Sequence, residues 1–214
     1  MSHFIGLCFG DNWENYLEQY YEGLEVEAYV AHTKDEAIDE VKRSHADSYE
    51  HAVRQLNKSD LTETNRKYFQ SIVDKGLFIS YEDAWKEAQD WGYQIDENEN
   101  LLSTYNPDSR WDWYSVGGRW HSYLYLKELD DNGDRVKVDQ ATFGEIDWDY
   151  MIDNNVIPFC FVTEDGEWVE KGEMGWWGVV SNETPRESWK ETFKRYINSI
   201  EDADCPVTAI DFHI

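Results

Sequence analysis

The stretch Arg110–Trp120, "RWDWYSVGGRW", packs three Trp, one Tyr, two Arg and a Gly-Gly pair into eleven residues. Its first seven residues alternate as a β-strand does. Trp111 and Trp113 fall on one face, and Asp112 and Tyr114 on the other. Gly117-Gly118 ends the run, and "RWHSYLYLKEL" resumes it with Trp120, Leu124 and Leu126 on one face. Asn132-Gly133 then marks a hairpin, with "RVKVDQA" as its return strand. The half of the chain from Leu101 onward therefore reads as β-rich.

Outward from this stretch, the character changes in both directions. "HFIGLCFG" (His3–Gly10) is a buried strand closed by glycine, and a loop rich in Tyr and Glu follows it. Thr33 with Glu36 forms a capping box that opens a charged helix towards Lys58. "NRKYFQSIVDKG" is a second helix ending at Gly76, and Ser80 with Asp83 opens a third that ends near "WGY". Towards the other end, "GEIDWDYMIDN" is a short helix, and "VIPFCFVTEDGEWVEKGEM" is a hairpin turning at Asp165-Gly166. Thr184, Pro185 and Glu187 set a capping box before the amphipathic helix "PRESWKETFKRYINSI", and "CPVTAIDFHI" is a terminal strand. The sum is an α+β fold: an antiparallel sheet with packed helices in one domain, 1–214, with 34–91 as a mainly helical insertion. The first and last strands are expected to be neighbours.

Composition narrows the function. The chain has 214 residues, 41% of them hydrophobic, with 11 Trp and 14 Tyr. That is enough to bury a core built largely from rings, each removing ~150–250 Å² from water. The net charge of -26 repels nucleic acid and anionic membranes, which excludes direct nucleic-acid binding and membrane attachment. Basic protein surfaces, cations and small ligands in a locally positive pocket are left as partners, and a second copy of the chain is a further candidate. Cys8, Cys160 and Cys205 follow no metal spacing, and an odd count points to a reducing cytoplasm. No P-loop, G-x-S-x-G, H-E-x-x-H, paired C-x-x-C or dinucleotide fingerprint occurs.

Three constellations carry chemistry. Indoles stack on bases at roughly 1–3 kcal/mol each, and arginines grip phosphate. Arg110, Trp111, Trp113, Arg119, Trp120 and His121, with Trp176 and Trp177 in "GEMGWWG", are therefore candidates to bind a nucleotide-derived ligand. The competing reading is a Trp-rich core with an ion pair between Arg119 and Asp112. Asp211 and His213 share one face of the last strand, and pairing of the terminal strands brings His3 to them. His3, Asp211 and His213 are the candidate catalytic residues for general acid–base work. No cofactor is called for, although such a trio also suits a divalent metal. The third feature is the acidic helical surface, which would suit an inhibitor of a host defence protein, by contact or by DNA mimicry. Lys and Arg interrupt its acidic rows in "VKRSHADSYEHAVRQLNK".

"YNPDSRWDWYSVGGRW", "VDQA", "EKGEMGWWG", the opening "SHFIGLCFG" and the closing "DFHI" resemble a family of largely uncharacterised bacteriophage and prophage proteins. The family opens with His-Phe and carries N-P-x-S-K/R-W-D-W-Y-x-x-G-G-R-W, with Arg110 here at the Lys position. The resemblance covers both ends and the β-rich half but little of 34–91. It implies a phage accessory protein acting in the cytoplasm of the infected bacterial host. Such proteins are often directed at host immunity, including systems that signal through nucleotides. The expectation is a sponge for such a signal. An acidic inhibitor and a metal-dependent phosphodiesterase are the alternatives, and whether chemistry follows binding is open at this stage.

Overall fold

The computed structural model describes residues 2–214, apart from the side chain of Trp176. The fold is α+β. Two compact units divide the chain: Met1–Glu25 with Tyr105–Ile214, and Val26–Thr104 between them.

The first unit begins with β1 (His3–Phe9) and α1 (Trp13–Glu18). The second contributes β2 (Tyr29–His32), α2 (Lys34–Leu56), α3 (Glu63–Val73), α4 (Tyr81–Gln89), β3 (Gln94–Ile95) and β4 (Leu101–Ser103). The first unit resumes with β5 (Trp113–Val116), β6 (Leu124–Leu129), β7 (Arg135–Val138), β8 (Gln140–Thr142), α5 (Trp148–Asp153) and β9 (Cys160–Val162). It closes with β10 (Trp168–Glu170), β11 (Glu173–Met174), β12 (Val180–Ser181), α6 (Arg186–Ile197) and β13 (Pro206–His213).

The main sheet runs β10-β9-β1-β13-β5, and β8 shares the β13 edge with β5. The first and last strands pair antiparallel along their length, from His3 opposite His213 to Phe9 opposite Val207. Both are central, which is why "FIGLCF" and "VTAIDF" are nearly continuous rather than alternating: each face needs an apolar partner. On one face Ile5, Leu7, Phe9, Val207 and Ala209 meet Trp189, Phe193 and Ile197 of α6. The spacing of those three is i, i+4, i+8, a single helix stripe. Each such burial contributes about 1.5–3 kcal/mol. On the other face Phe4, Cys8, Ile210 and Phe212 meet Trp13 and Leu17 of α1. Gly6 lies in this layer because a Cβ there would sit 2.4 Å from the Phe212 ring and 2.7 Å from Cys160 Sγ.

Several sequence expectations are corrected. The sheet is not wholly antiparallel, since β1 and β9 run parallel; a long connection separates them, as a parallel pair requires. "RVKVDQA" is two strands rather than one: β7 pairs with β6, while β8 pairs with β13. The break falls at Asp139, whose carbonyl accepts from the Ala209 N–H at 2.8 Å. The loop after β1 holds the short helix α1, which has no side-chain cap to announce it. The capping box at Thr184 does not form: Pro185 is the N-cap itself, without a side-chain bond, because the Thr184 N–H is used on the Lys171 carbonyl.

The Val26–Thr104 unit is wider than the 34–91 helical stretch, because a small sheet, β2-β4-β3, brackets the helices. The Thr33–Glu36 capping box is present in full. Thr62 and Ser80 cap α3 and α4. Its core uses Ala37, Ile38, Val41, Ala84, Trp85, Ala88 and Leu101. Small residues on the facing stripes of α2 and α4 let the two backbones approach. Among the described residues no helix is long and apolar enough to cross a membrane.

Candidate acid–base site

The register of β1, β13 and β5 fixes the site. His3, His213 and Trp113 lie opposite one another across the three strands. One step inward along the same face come Ile5, Asp211 and Ser115. His3, Asp211 and His213, expected to meet only if the terminal strands paired, do meet. The two imidazole rings stand edge to face with centroids 4.8 Å apart.

Each imidazole is held by its own carboxylate. His3 Nδ1 lies 3.0 Å from Asp211 Oδ1, and His213 Nδ1 lies 2.5 Å from Asp112 Oδ1. An ionised carboxylate can only accept, so each Nδ1–H is the donor and each Nε2 is left as the ring atom that can take up or release a proton. The two carboxylates differ in setting. Asp211 is buried and also accepts the Arg119 backbone N–H on Oδ2 at 2.9 Å. The Asp112 side chain is 38% exposed.

The Gly-Gly pair serves this arrangement. Gly117 and Gly118 adopt φ of +69° and +51°, turning the chain back over the sheet in a 3₁₀ turn, Gly118–Trp120. A Cβ on Gly118 would stand 2.4 Å from Asp211 Cβ and 2.5 Å from Oδ2. A Cβ on Gly117 would stand 2.6 Å from the Asp139 carboxylate, which in turn accepts from the Ser122 N–H. Gly118→Ala therefore has two costs, a left-handed backbone at ~1–2 kcal/mol and displacement of Asp211. Its expected result is a loss of about 2–4 kcal/mol of stability in urea unfolding, with His3 released from its carboxylate. A variant as stable as the parent would show that Asp211 is free to move.

The indole cluster is divided between core and surface. Trp111 packs in the inner layer against Tyr114, and its Nε1–H donates to the Leu17 carbonyl at 3.1 Å. It does not share a face with Trp113. Pairing of β5 with β13 starts only at Trp113, and Trp111 bridges instead to Tyr21, so the alternation does not run through Asp112. Trp120 packs against the α6-side core. Trp113 is 54% exposed beside His213, with centroids 6.4 Å apart. Trp177 is 83% exposed at φ +65°. The side chain of Trp176 lies outside the described residues.

The charged candidates also separate. Arg119 does not pair with Asp112; its backbone serves Asp211 while its side chain is exposed. His121 is exposed, 3.4 Å from Ser122 Oγ, and is not part of the histidine pair. Arg110 Nε lies 3.5 Å from Glu170 Oε1. Burial holds the Glu170 carboxyl above its ordinary range, against the opposing pull of the Trp168 N–H and Arg110. Asp112 was not legible in the sequence as a histidine partner; its place between Trp111 and Trp113 carries no such signal without the register. Among the described residues, no three His, Cys, Asp or Glu side chains form a group that could hold a metal.

No family model, curated protein or solved structure matches the chain. The geometry must therefore carry the functional reading: two largely buried imidazoles, each held to a carboxylate through Nδ1, can remove one proton and deliver another within a single reacting group.

Proposed function

We propose that this chain is a phage accessory protein that binds a nucleotide-derived phosphodiester and hydrolyses it with His3 and His213 as the acid–base pair. The observation that carries this reading is the 4.8 Å imidazole pair, each ring anchored through Nδ1 to a carboxylate. One Nε2 takes a proton from water as its oxygen bonds to phosphorus. The other imidazole, protonated at Nε2, gives its proton to the leaving oxygen as the second P–O bond breaks. Asp211 and Asp112 hold the tautomers and offset the positive charge that each ring acquires in turn. Trp113 offers an exposed indole face for a base, and Arg119, exposed on the turn whose backbone bonds Asp211, supplies a guanidinium for the phosphate.

Support also comes from where the phage-like motif lies. Its central Asp112, Trp113, Gly118 and Arg119, its opening His3 and its closing Asp211 and His213 all meet at this one site. Action against a nucleotide immune signal in the host cytoplasm belongs to the same proposal. An acidic docking surface finds less support, since Glu50–Arg54 and Glu63–Lys67 pairs break up the acidic rows.

The test is incubation with cyclic dinucleotides, cyclic ADP-ribose isomers and mononucleotides, with chromatography of what is recovered. A hydrolysed diester upholds the proposal. Saturable quenching of tryptophan fluorescence with every ligand returned intact would replace it with sequestration, the reading that exposed Trp113 and Trp177 favour. Arg119→Ala is expected to weaken binding by roughly tenfold or more, the worth of one charge-assisted contact, with thermal unfolding unchanged.

A further inference from the structure

A groove of about 340 Å³ opens beside the site, lined by Pro107, Ser109, Arg110, Glu170, Glu173, Met174 and Ile214. Its walls come from the chain segments that build the histidine pair. Arg110 lies two residues before Asp112, and Ile214 follows His213. Met174 precedes Gly175, whose carbonyl accepts from Ser2 Oγ at 2.9 Å, and Ser2 precedes His3. Consecutive strand residues point to opposite faces. Met174 and Ile214 pack in the layer of Phe4 and Phe212, so the groove lies across the sheet end from the imidazoles, just past the last residue of β13.

The lining has an unusual donor and acceptor balance. Arg110 Nε is buried and makes no hydrogen bond among the described residues, although Glu170 Oε1 is 3.5 Å away. Glu170 Oε2 accepts from Trp168 Nε1 at 2.9 Å, which leaves Oε1 with acceptor capacity. Among the described residues, Glu173 accepts from Asn182 Nδ2, at 3.2 Å. The groove thus presents the Arg110 guanidinium, the Glu170 carboxylate facing it, the Glu173 carboxylate and the Ser109 hydroxyl between the apolar surfaces of Pro107, Met174 and Ile214. A flat ligand filling it needs adjacent N–H donors on one edge and acceptors on another. Guanine has this pattern: N1–H and N2–H₂ for carboxylates, O6 and N7 for an arginine. Adenine and cytosine each offer a single exocyclic amine in place of the paired donors.

We infer that this groove is the nucleobase subsite of the histidine site and that it selects guanine, an assignment that rests on the phosphodiester reading above. The base would lie against Met174 and Ile214, and its sugar would carry the phosphate over the sheet end to His3 and His213.

Titration of the protein with GMP, IMP, AMP and CMP, followed by tryptophan fluorescence, tests the groove without requiring turnover. Trp168, bonded to Glu170, is the reporter. The expected order is GMP first, with IMP roughly tenfold weaker for want of the N2 amine and AMP and CMP weaker still. Glu173→Gln, at an exposed position, should remove most of the GMP preference. Equal binding of the four, or none, overturns the inference. Diesters with and without guanine, hydrolysed at the same rate, also overturn it while leaving the hydrolytic reading in place. A GMP preference with no diester hydrolysed upholds the groove and overturns the hydrolytic reading instead.

Discussion

His213→Ala is expected to lower the rate of phosphodiester hydrolysis by roughly 10²–10⁴-fold, the usual worth of a positioned general acid or base, and His3→Ala by a similar factor. The two substitutions should not add, because each removes one end of a single proton relay. Both residues lie at the outer end of the central strand pair, and the pairings inward of them, Phe4–Phe212 through Phe9–Val207, do not depend on their side chains. Circular dichroism should therefore stay close to the parent's, while the urea midpoint falls, because each substitution leaves a carboxylate without its imidazole partner and Asp211 and His213 are buried. A folded His213→Ala protein that retains full activity would remove the histidines from the mechanism.

Phe161→Ala is expected to cost about 3–5 kcal/mol, the range for deleting a buried ring. Phe161 is 2% exposed on β9. It stacks on Tyr196 at 4.6 Å and on Trp189 at 5.7 Å, and meets Phe193 at 5.7 Å. These partners belong to α6, so the cavity would fall on the contact that holds that helix to the sheet, and rings cannot collapse into it as flexible chains would. The shift in urea midpoint measures the loss. Phe78→Ala is the control, since Phe78 is 87% exposed and should change stability by no more than ~0.5 kcal/mol. A Phe161→Ala midpoint within error of the control's would mean that α6 is held by other means.

The parts of the fold that could be read from the residues are those governed by one element at a time. The capping signals at Thr33 and Ser80 open α2 and α4 where they stand, because a cap bond closes within one turn. The strand period put Asp211 and His213 on one face, and pairing of the terminal strands brought His3 to them. What could not be read depended on register or on competition. Asp112 looked like a partner for Arg119, seven residues on, yet the β13–β5 register delivers His213 to it. Trp111 looked like Trp113's neighbour, yet its Nε1–H found the Leu17 carbonyl in another element. The two strands β7 and β8 looked like one because nothing local marks the point where Asp139 exchanges a hairpin partner for the sheet. The groove at Arg110 gave no sign, since its walls come from three distant segments.

The pairing of β1 with β13 also sets when the histidine pair can form. His3 and the carboxylate that orients it are 208 positions apart, so the candidate site draws its two halves from widely separated stretches of the chain. During synthesis the β1 strand must wait for its central partner while the Val26–Thr104 segment, closed by contacts within itself, is already complete on the ribosome. A prematurely terminated product would lack Asp211, His213 and the strand that carries them. It would have neither the histidine pair nor the central pairing of the main sheet.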